Sequence, residues 1–103
     1  MAEKLDASVR LEENQLFVSG PVTYGSVVKI TQAGMASMNH HDLVINLTEI
    51  TEVDSSAVSM LLEWLRVAHV HNSQLRFINL PGNLVSLIQL YDVTDLIPVN
   101  SHN

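Results

Sequence analysis

The chain contains no cysteine among its 103 residues. This absence excludes disulfide bridges, iron–sulfur clusters and thiolate zinc sites as elements of the fold. Basic residues are also few, since five lysines and arginines stand against eleven aspartates and glutamates, for a formal net charge of −6. Nucleic acids and anionic lipid surfaces select clustered basic side chains. The composition therefore predicts that neither is a direct partner.

Long apolar runs are missing as well. The longest apolar region, residues 58–70, is too short to span a bilayer and is interrupted by Ser59, Glu63, Arg66 and His69. The first ten residues carry charges and lack the apolar stretch of a signal peptide. These absences predict a cytoplasmic protein that does not insert into a membrane by itself.

The chain does contain enough hydrophobic residues for one core. Hydrophobic residues make up 47% of the sequence, and 103 residues is the usual size of a single domain. We expect one domain over residues 1–103, with residues 1–7 and 100–103 flexible at its ends.

The periodicity of apolar residues predicts the order β-β-α-β-α-β-α-β. Two antiparallel strands within residues 8–19 turn at Asn14-Gln15, and Gly20-Pro21 ends this part of the sheet. Thr23 is the predicted N-cap of the first helix, in which Gly34 allows a close approach to the sheet. The remaining predictions are a first helix over 23–38, strands at 42–47, 74–79 and 96–99, a polar linker at 48–52, and helices from 54 to about 71 and over 83–91. This alternation predicts an α/β fold in which about three helices cover a mixed sheet.

The helix after Asp54 has the strongest periodicity. On a helical wheel one broad face is apolar and forms the predicted core side: Ala57, Met60, Leu61, Trp64, Leu65 and Ala68. Ser59, Glu63 and Arg66 lie opposite, and Leu62 lies beside Arg66 without an evident place in the core. An exposed leucine framed by charges is a candidate contact residue, although single exposed leucines are common.

The sequence Asp54-Ser55-Ser56 is a helix start. An aspartate at this position caps the unpaired amides of the first turn, where the helix dipole favours negative charge. A phosphoryl group on Ser55 or Ser56 would be supported by the helix and opposed by Asp54. The simpler alternative is that both serines only help to begin the helix.

The run Val53-Asp54-Ser55-Ser56-Ala57-Val58, with an apolar strand before it and Trp64 after it, resembles the signature of the STAS domain family. The resemblance extends to Ser19-Gly20-Pro21-Val22-Thr23 and to the apolar stretches 43–47 and 75–80. The family includes anti-sigma factor antagonists and, closer in length and style, the small STAS subunit of bacterial Mla-type ABC transporters for phospholipids.

The resemblance to the transporter subunits implies a non-catalytic accessory protein. It would bind the cytoplasmic ATPase, support its assembly or activity, and reach the inner membrane only through the ATPase–permease complex. The implied contact surface consists of Asp54, Ser55, Ser56, Ser59, Leu62, Glu63 and Arg66.

The resemblance to the antagonists implies a different function, in which a partner serine kinase phosphorylates Ser56 and thereby controls binding to the kinase or anti-sigma factor. Ser55, the first serine of the motif, is the other possible phosphorylation site and stands where the transporter subunits have a threonine or serine. Ala57 stands where the antagonists have glycine, which favours the transporter interpretation.

Signals of an enzyme are absent, since the sequence has no Walker-type glycine loop, nucleophile elbow or phosphate cradle. Two groups of residues invite a metal hypothesis: His40, His41 and Asp42 with His69 and His71, and the acidic stretch Glu49, Glu52 and Asp54. Both are better explained as solvated residues near the ends of elements, so we expect no catalytic residues, cofactor or metal.

Overall fold

The computed structural model describes residues 7–38 and 42–99. In this part of the chain the elements are β1 (Ser8–Glu12), β2 (Gln15–Val22), α1 (Val27–Met35), β3 (Leu43–Val53), α2 (Ser55–Val70), β4 (Leu75–Ile78) and α3 (Gly82–Leu90), followed by a short 3₁₀ helix at Thr94–Leu96. The predicted α/β fold, a mixed sheet with three helices, is confirmed.

The sheet has the strand order β1-β2-β3-β4. β1 pairs antiparallel with β2, whereas β2–β3 and β3–β4 are parallel pairs. One face of the sheet carries the core, with Leu16, Ile45 and Phe77 fully buried. On the other face the guanidinium of Arg10 lies 4.3 Å above the ring centre of Phe17.

The prediction that Gly20-Pro21 ends the sheet is wrong. β2 continues to Val22, and its pairing with β3 shifts register between Phe17 and Ser19 and again between Gly20 and Pro21. A bulge of this kind leaves room for a proline, which has no N–H to donate. Gly20 has a φ of 87°, a left-handed conformation that glycine adopts without strain.

The predicted polar linker at residues 48–52 is also wrong, because β3 runs through it to Val53. Its second half pairs with the end of β2, with Ser19 beside Glu49 and Val22 beside Val53. Only Ile50 is buried in this stretch. Polar residues fit here because one face of the sheet is not part of the core.

Helix α1 begins at Val27, four residues later than predicted. The carbonyl of Thr23 accepts hydrogen bonds from the N–H groups of Ser26 and Val27, so Thr23 closes a turn and does not cap the helix. The hydroxyl of Ser26 donates to the carbonyl of Pro21 and accepts from the N–H of Thr23, which holds the turn in place.

The indole of Trp64 lies between α1 and α2 and is fully buried, as predicted. Its Nε1–H donates a 2.9 Å hydrogen bond to the carbonyl of Thr31. A Cβ at Gly34 would lie 2.2 Å from Cζ2 of Trp64. The small residue therefore makes room for the tryptophan of α2, and not for the sheet.

The predicted core side of α2 is buried except for Leu65, which is half-buried. Val58, which the wheel did not assign to the core, is buried as well. It adds a second apolar edge to the helix, on the side of α3.

The predicted last strand at 96–99 does not form. Leu96 ends the 3₁₀ helix, and a single bridge joins Phe77 to Val99, with the carbonyl of Pro98 accepting from the N–H of Phe77. Pro98 has no N–H with which to extend the ladder. Ala7 is buried, and residues 1–6 and 100–103 of the predicted flexible ends lie outside the described residues.

Candidate functional site at the start of helix α2

Asp54 occupies the junction where β3 passes into α2. Because β2 and β3 are parallel, their carboxyl ends meet at the same edge of the sheet, where ligand-contacting loops of α/β folds commonly lie. The N–H of Asp54 donates to the carbonyl of Val22 at 3.4 Å. This contact brings the β2–α1 turn next to the start of α2.

The carboxylate of Asp54 caps α2, as predicted. Oδ1 accepts from the N–H of Ser56 at 2.9 Å and from the Ser56 hydroxyl, and Oδ2 accepts from the N–H of Tyr24 at 3.0 Å. The Ser56 hydroxyl bond is the main cause that lowers the pKa of Asp54, with help from the N–H groups of Tyr24 and Ser56 and against the effect of partial burial. Asp54 therefore holds its negative charge and joins two segments of the chain.

The two serines of the motif differ in exposure. Ser55 is exposed, whereas Ser56 is half-buried and gives its hydroxyl hydrogen to Asp54. The hydroxyl of Ser55 is therefore the more accessible of the two.

The outer face of α2 presents the predicted polar residues together. Ser59 and Arg66 are exposed, and Arg66 pairs with Glu63 through two hydrogen bonds, of 3.1 Å from Nε and 2.6 Å from Nη2. These bonds from Arg66 lower the pKa of Glu63. An exposed pair one turn apart adds little to stability and leaves both charges within reach of a partner.

The helical wheel gave Leu62 no evident place in the core, but the structure places part of its side chain there. It is half-buried and packs against the edge of the core, in a pocket of about 330 Å³ between α2 and the end of α3. Ser55, Val58 and Tyr91 line the same pocket. A substitution at Leu62 therefore affects packing as well as the surface.

Two exposed apolar residues next to this face were not predicted. Tyr24, in the turn before α1, is 85% exposed, and Val28 on α1 is 64% exposed. Val28 lines a second groove of about 330 Å³, which lies between α1 and α2. The only sequence signal was that Tyr24 follows Gly20-Pro21-Val22-Thr23, a segment already noted in the resemblance.

The acidic residues considered for a metal do not form one cluster. Glu49 lies on the outer face of the sheet, where it accepts from the Ser19 hydroxyl at 2.5 Å and pairs with Arg10 at 3.0 Å. Among residues 7–38 and 42–99, no group of three or more His, Asp or Glu side chains is placed to hold a metal ion. His40 and His41 lie outside the described residues.

Within the described chain, no helix has both the length and the apolar character needed to cross a membrane.

A protein family described as "Mlab, STAS domain" matches residues 6–98 of the chain. No curated protein sequence matches it significantly. Three solved structures show the same fold at low sequence identity.

The first is an anti-sigma-factor antagonist (STAS) domain protein from Planctomyces limnophilus, with a TM-score of 0.71, 17% identity, and coverage of 95% of this chain and 92% of that one. An anti-sigma factor antagonist from Mycobacterium paratuberculosis has a TM-score of 0.73 and 15% identity, with 96% and 87% covered. The unphosphorylated form of the anti-sigma factor antagonist SpoIIAA has a TM-score of 0.64 and 12% identity, with 94% and 89% covered.

Proposed function

Because this chain belongs to the STAS domain family, we propose that it is the non-catalytic STAS subunit of an Mla-type phospholipid ABC transporter and docks on the cytoplasmic ATPase of that transporter. It supports the assembly or activity of the ATPase, and the ATPase–permease complex brings it to the inner membrane. The chemistry of transport then belongs to the ATPase. The family match to an Mlab-type domain over nearly the whole chain supports this choice of partner.

The single observation that carries the proposal is the open outer face of α2. Ser55, Ser59 and Arg66 are exposed along one side of a helix whose opposite side is in the core. The cap at Asp54 fixes where this helix begins, so the face is presented with little freedom to rearrange. Preordered surfaces lose less entropy when they bind.

A second candidate function is that of an anti-sigma factor antagonist regulated by phosphorylation at Ser56. Its support is that the three structural neighbours carry that description and that Ser56 lies in the first turn of α2. A phosphoryl group would add close to two negative charges beside Asp54, which would repel an acidic partner and add a desolvation cost against an apolar one. Ala57 and the bond from the Ser56 hydroxyl to Asp54 make this the weaker candidate.

The experiment is an affinity isolation of the full chain from the membranes of its native cells. Wild type is compared with Ser59→Arg and Arg66→Glu, which change exposed residues of α2, and with Arg76→Glu as control. Arg76 is exposed on β4 between the buried Leu75 and Phe77, so it lies on the face of the sheet away from the helices.

We expect wild type and Arg76→Glu to retain an ABC ATPase together with a multi-pass permease, and the two α2 variants to lose both. If both α2 variants retain the ATPase as wild type does, docking through α2 is wrong. A serine kinase recovered in place of membrane components would make the antagonist function the better description.

A further inference from the structure

Helices α1 and α2 lie side by side and leave a groove between them that opens to solvent. Met35 on α1 is half-buried and Met60 on α2 is buried, so the groove is mainly apolar at its base. Ser59 and Glu63 form its rim on the side of α2. The groove therefore begins at the same outer face of α2 that the proposed docking uses.

Exposed apolar side chains occur in the groove and in the turn before α1. Val28 lines the groove and is 64% exposed, and Tyr24, four residues earlier, is 85% exposed. The backbone of Tyr24 is fixed by Asp54, and the adjacent turn is fixed by the Ser26 hydroxyl. Exposed apolar side chains on a fixed backbone are typical of a contact surface, and aromatic residues are frequent at binding hot spots.

The dimensions of the groove fit a short piece of helix. An apolar cavity of about 150 Å³ accepts one benzene molecule, so about 330 Å³ accommodates roughly two apolar side chains. Ser56 and Glu63, which line the groove along α2, are seven residues apart, or about 10 Å along the helix axis. Two turns of a partner helix cover that length and supply apolar residues at i and i+3 or i+4.

The negative charge at and beside the rim favours a basic partner. Asp54 is bonded to Ser56 at one end of the groove, and Glu63 lies at the other. Arg66 pairs with Glu63, but both side chains are exposed, so an incoming cation can compete with Arg66 at small cost. The net charge of −6 adds a long-range attraction to basic surfaces and opposes anionic lipid.

We propose that the α1–α2 groove receives two turns of an amphipathic helix of the partner, with its apolar residues between Val28 and Met60 and a lysine or arginine beside Glu63. This inference rests on the proposed function, because it assigns the helix to the transporter ATPase. Docking through the outer face of α2 does not require it, so the two proposals can fail separately.

The absence of cysteine permits a direct test on the full chain. Single cysteines replace Val28 in the groove, Ser59 on its rim, and Leu11, which is 51% exposed on the edge strand β1. Each variant is labelled with a small, uncharged methanethiosulfonate diazirine, assembled with the ATPase–permease complex that the wild-type chain retains, and irradiated. Cross-linked peptides are then identified by mass spectrometry.

We expect the labels at Val28→Cys and Ser59→Cys to reach an ATPase peptide with apolar residues three or four apart and a lysine or arginine next to them, and the label at Leu11→Cys to reach none. Glu63→Lys should weaken the complex about threefold or more. The matched control Glu13→Lys, in the exposed β1–β2 turn, should leave its affinity unchanged.

A label that reaches the ATPase from Ser59→Cys but not from Val28→Cys overturns the groove and leaves docking through α2 intact. Cross-links from Val28→Cys to a phospholipid, or to a second copy of the chain, overturn the partner helix. If neither label reaches an ATPase, the proposed function fails together with the groove.

Discussion

The N–H of Tyr24 donates a 3.0 Å hydrogen bond to the same carboxylate, that of Asp54, which caps helix α2. One side chain thereby holds both the first turn of α2 and the turn before α1. The position of Tyr24 at the candidate surface depends on a residue thirty positions later in the chain.

Replacing Asp54 tests this double role. Asp54→Ala should lower the free energy of unfolding by about 1–2 kcal/mol, since loss of an N-cap costs this much and the N–H of Tyr24 loses its acceptor too. Asp54→Asn retains capping oxygen and should lose less than the alanine variant. Urea unfolding followed by the fluorescence of Trp64, the single tryptophan, measures both values. Equal stability of Asp54→Ala and wild type would contradict the role of the cap.

Gly34→Ala should destabilise the protein by about 1–3 kcal/mol, although alanine is the better helix former by about 1 kcal/mol. The added Cβ would lie 2.2 Å from the Trp64 ring, which is fully buried and bonded to Thr31. Gly82→Ala, at the start of α3, is the control, because nothing lies within 4 Å of its Cβ position. Its unfolding free energy should change by less than about 0.5 kcal/mol. If Gly34→Ala were as stable as wild type, α1 and α2 would be able to move apart without a cost in free energy, and the predicted clash would be wrong.

Stability should fall in acid, below about pH 4, where free aspartate and glutamate side chains bind protons. Hydrogen bonds from Arg10 and then Ser19 lower the pKa of Glu49, and Ser56 lowers that of Asp54. The unfolded chain therefore takes up protons before the folded one does. These two carboxylates make their full contribution to the free energy of unfolding above the pKa that each has in the unfolded chain. That contribution is lost as the pH falls through the lower pKa that each has in the folded protein. Urea unfolding between pH 7 and pH 3 should show a shallower decline for Glu49→Gln; an identical decline would exclude Glu49 as a contributor.

Negative charge should act differently at the two serines. Ser55→Asp adds a carboxylate to an exposed position in the first turn of α2 and should stabilise the protein by about 0.5 kcal/mol. Ser56→Asp removes the hydroxyl bonded to Asp54 and adds a second carboxylate there, so it should destabilise by about 1 kcal/mol or more. Thermal unfolding at low salt compares them, with Ser55→Ala and Ser56→Ala as controls. The reverse order of stability would show that Ser56 is free to turn away from Asp54.

The sequence alone was sufficient to predict those structural elements that depend only on their own residues. The start of α2 at Asp54 and the burial of Trp64 follow from a capping side chain and an apolar face of helical period. The full length of β3 did not follow, because residues 48–53 are held by pairing with 19–22 and not by apolar composition. Pairing between strands that are distant in sequence leaves no local pattern to read.

The part of the candidate site that lies on one helix could be predicted in the same way. Ser55, Ser59 and Arg66 share an exposed face because they share a helix, which the wheel describes. Val28 joins them only because α1 packs beside α2, and Tyr24 because its N–H is bonded to Asp54. Leu62 is half-buried only because the end of α3 reaches its pocket. These neighbours are set by tertiary packing, which the pattern along one helix does not contain.

The contact between Gly34 and Trp64 also limits how this sequence diverges. A larger residue at position 34 becomes acceptable only after the aromatic ring at position 64 has been replaced by a smaller side chain. Replacing the ring first, with glycine still at position 34, leaves a void between the two helices, which is itself costly. In descendants of this protein the two positions should therefore change as a correlated pair, with a small residue at 34 wherever tryptophan is kept at 64.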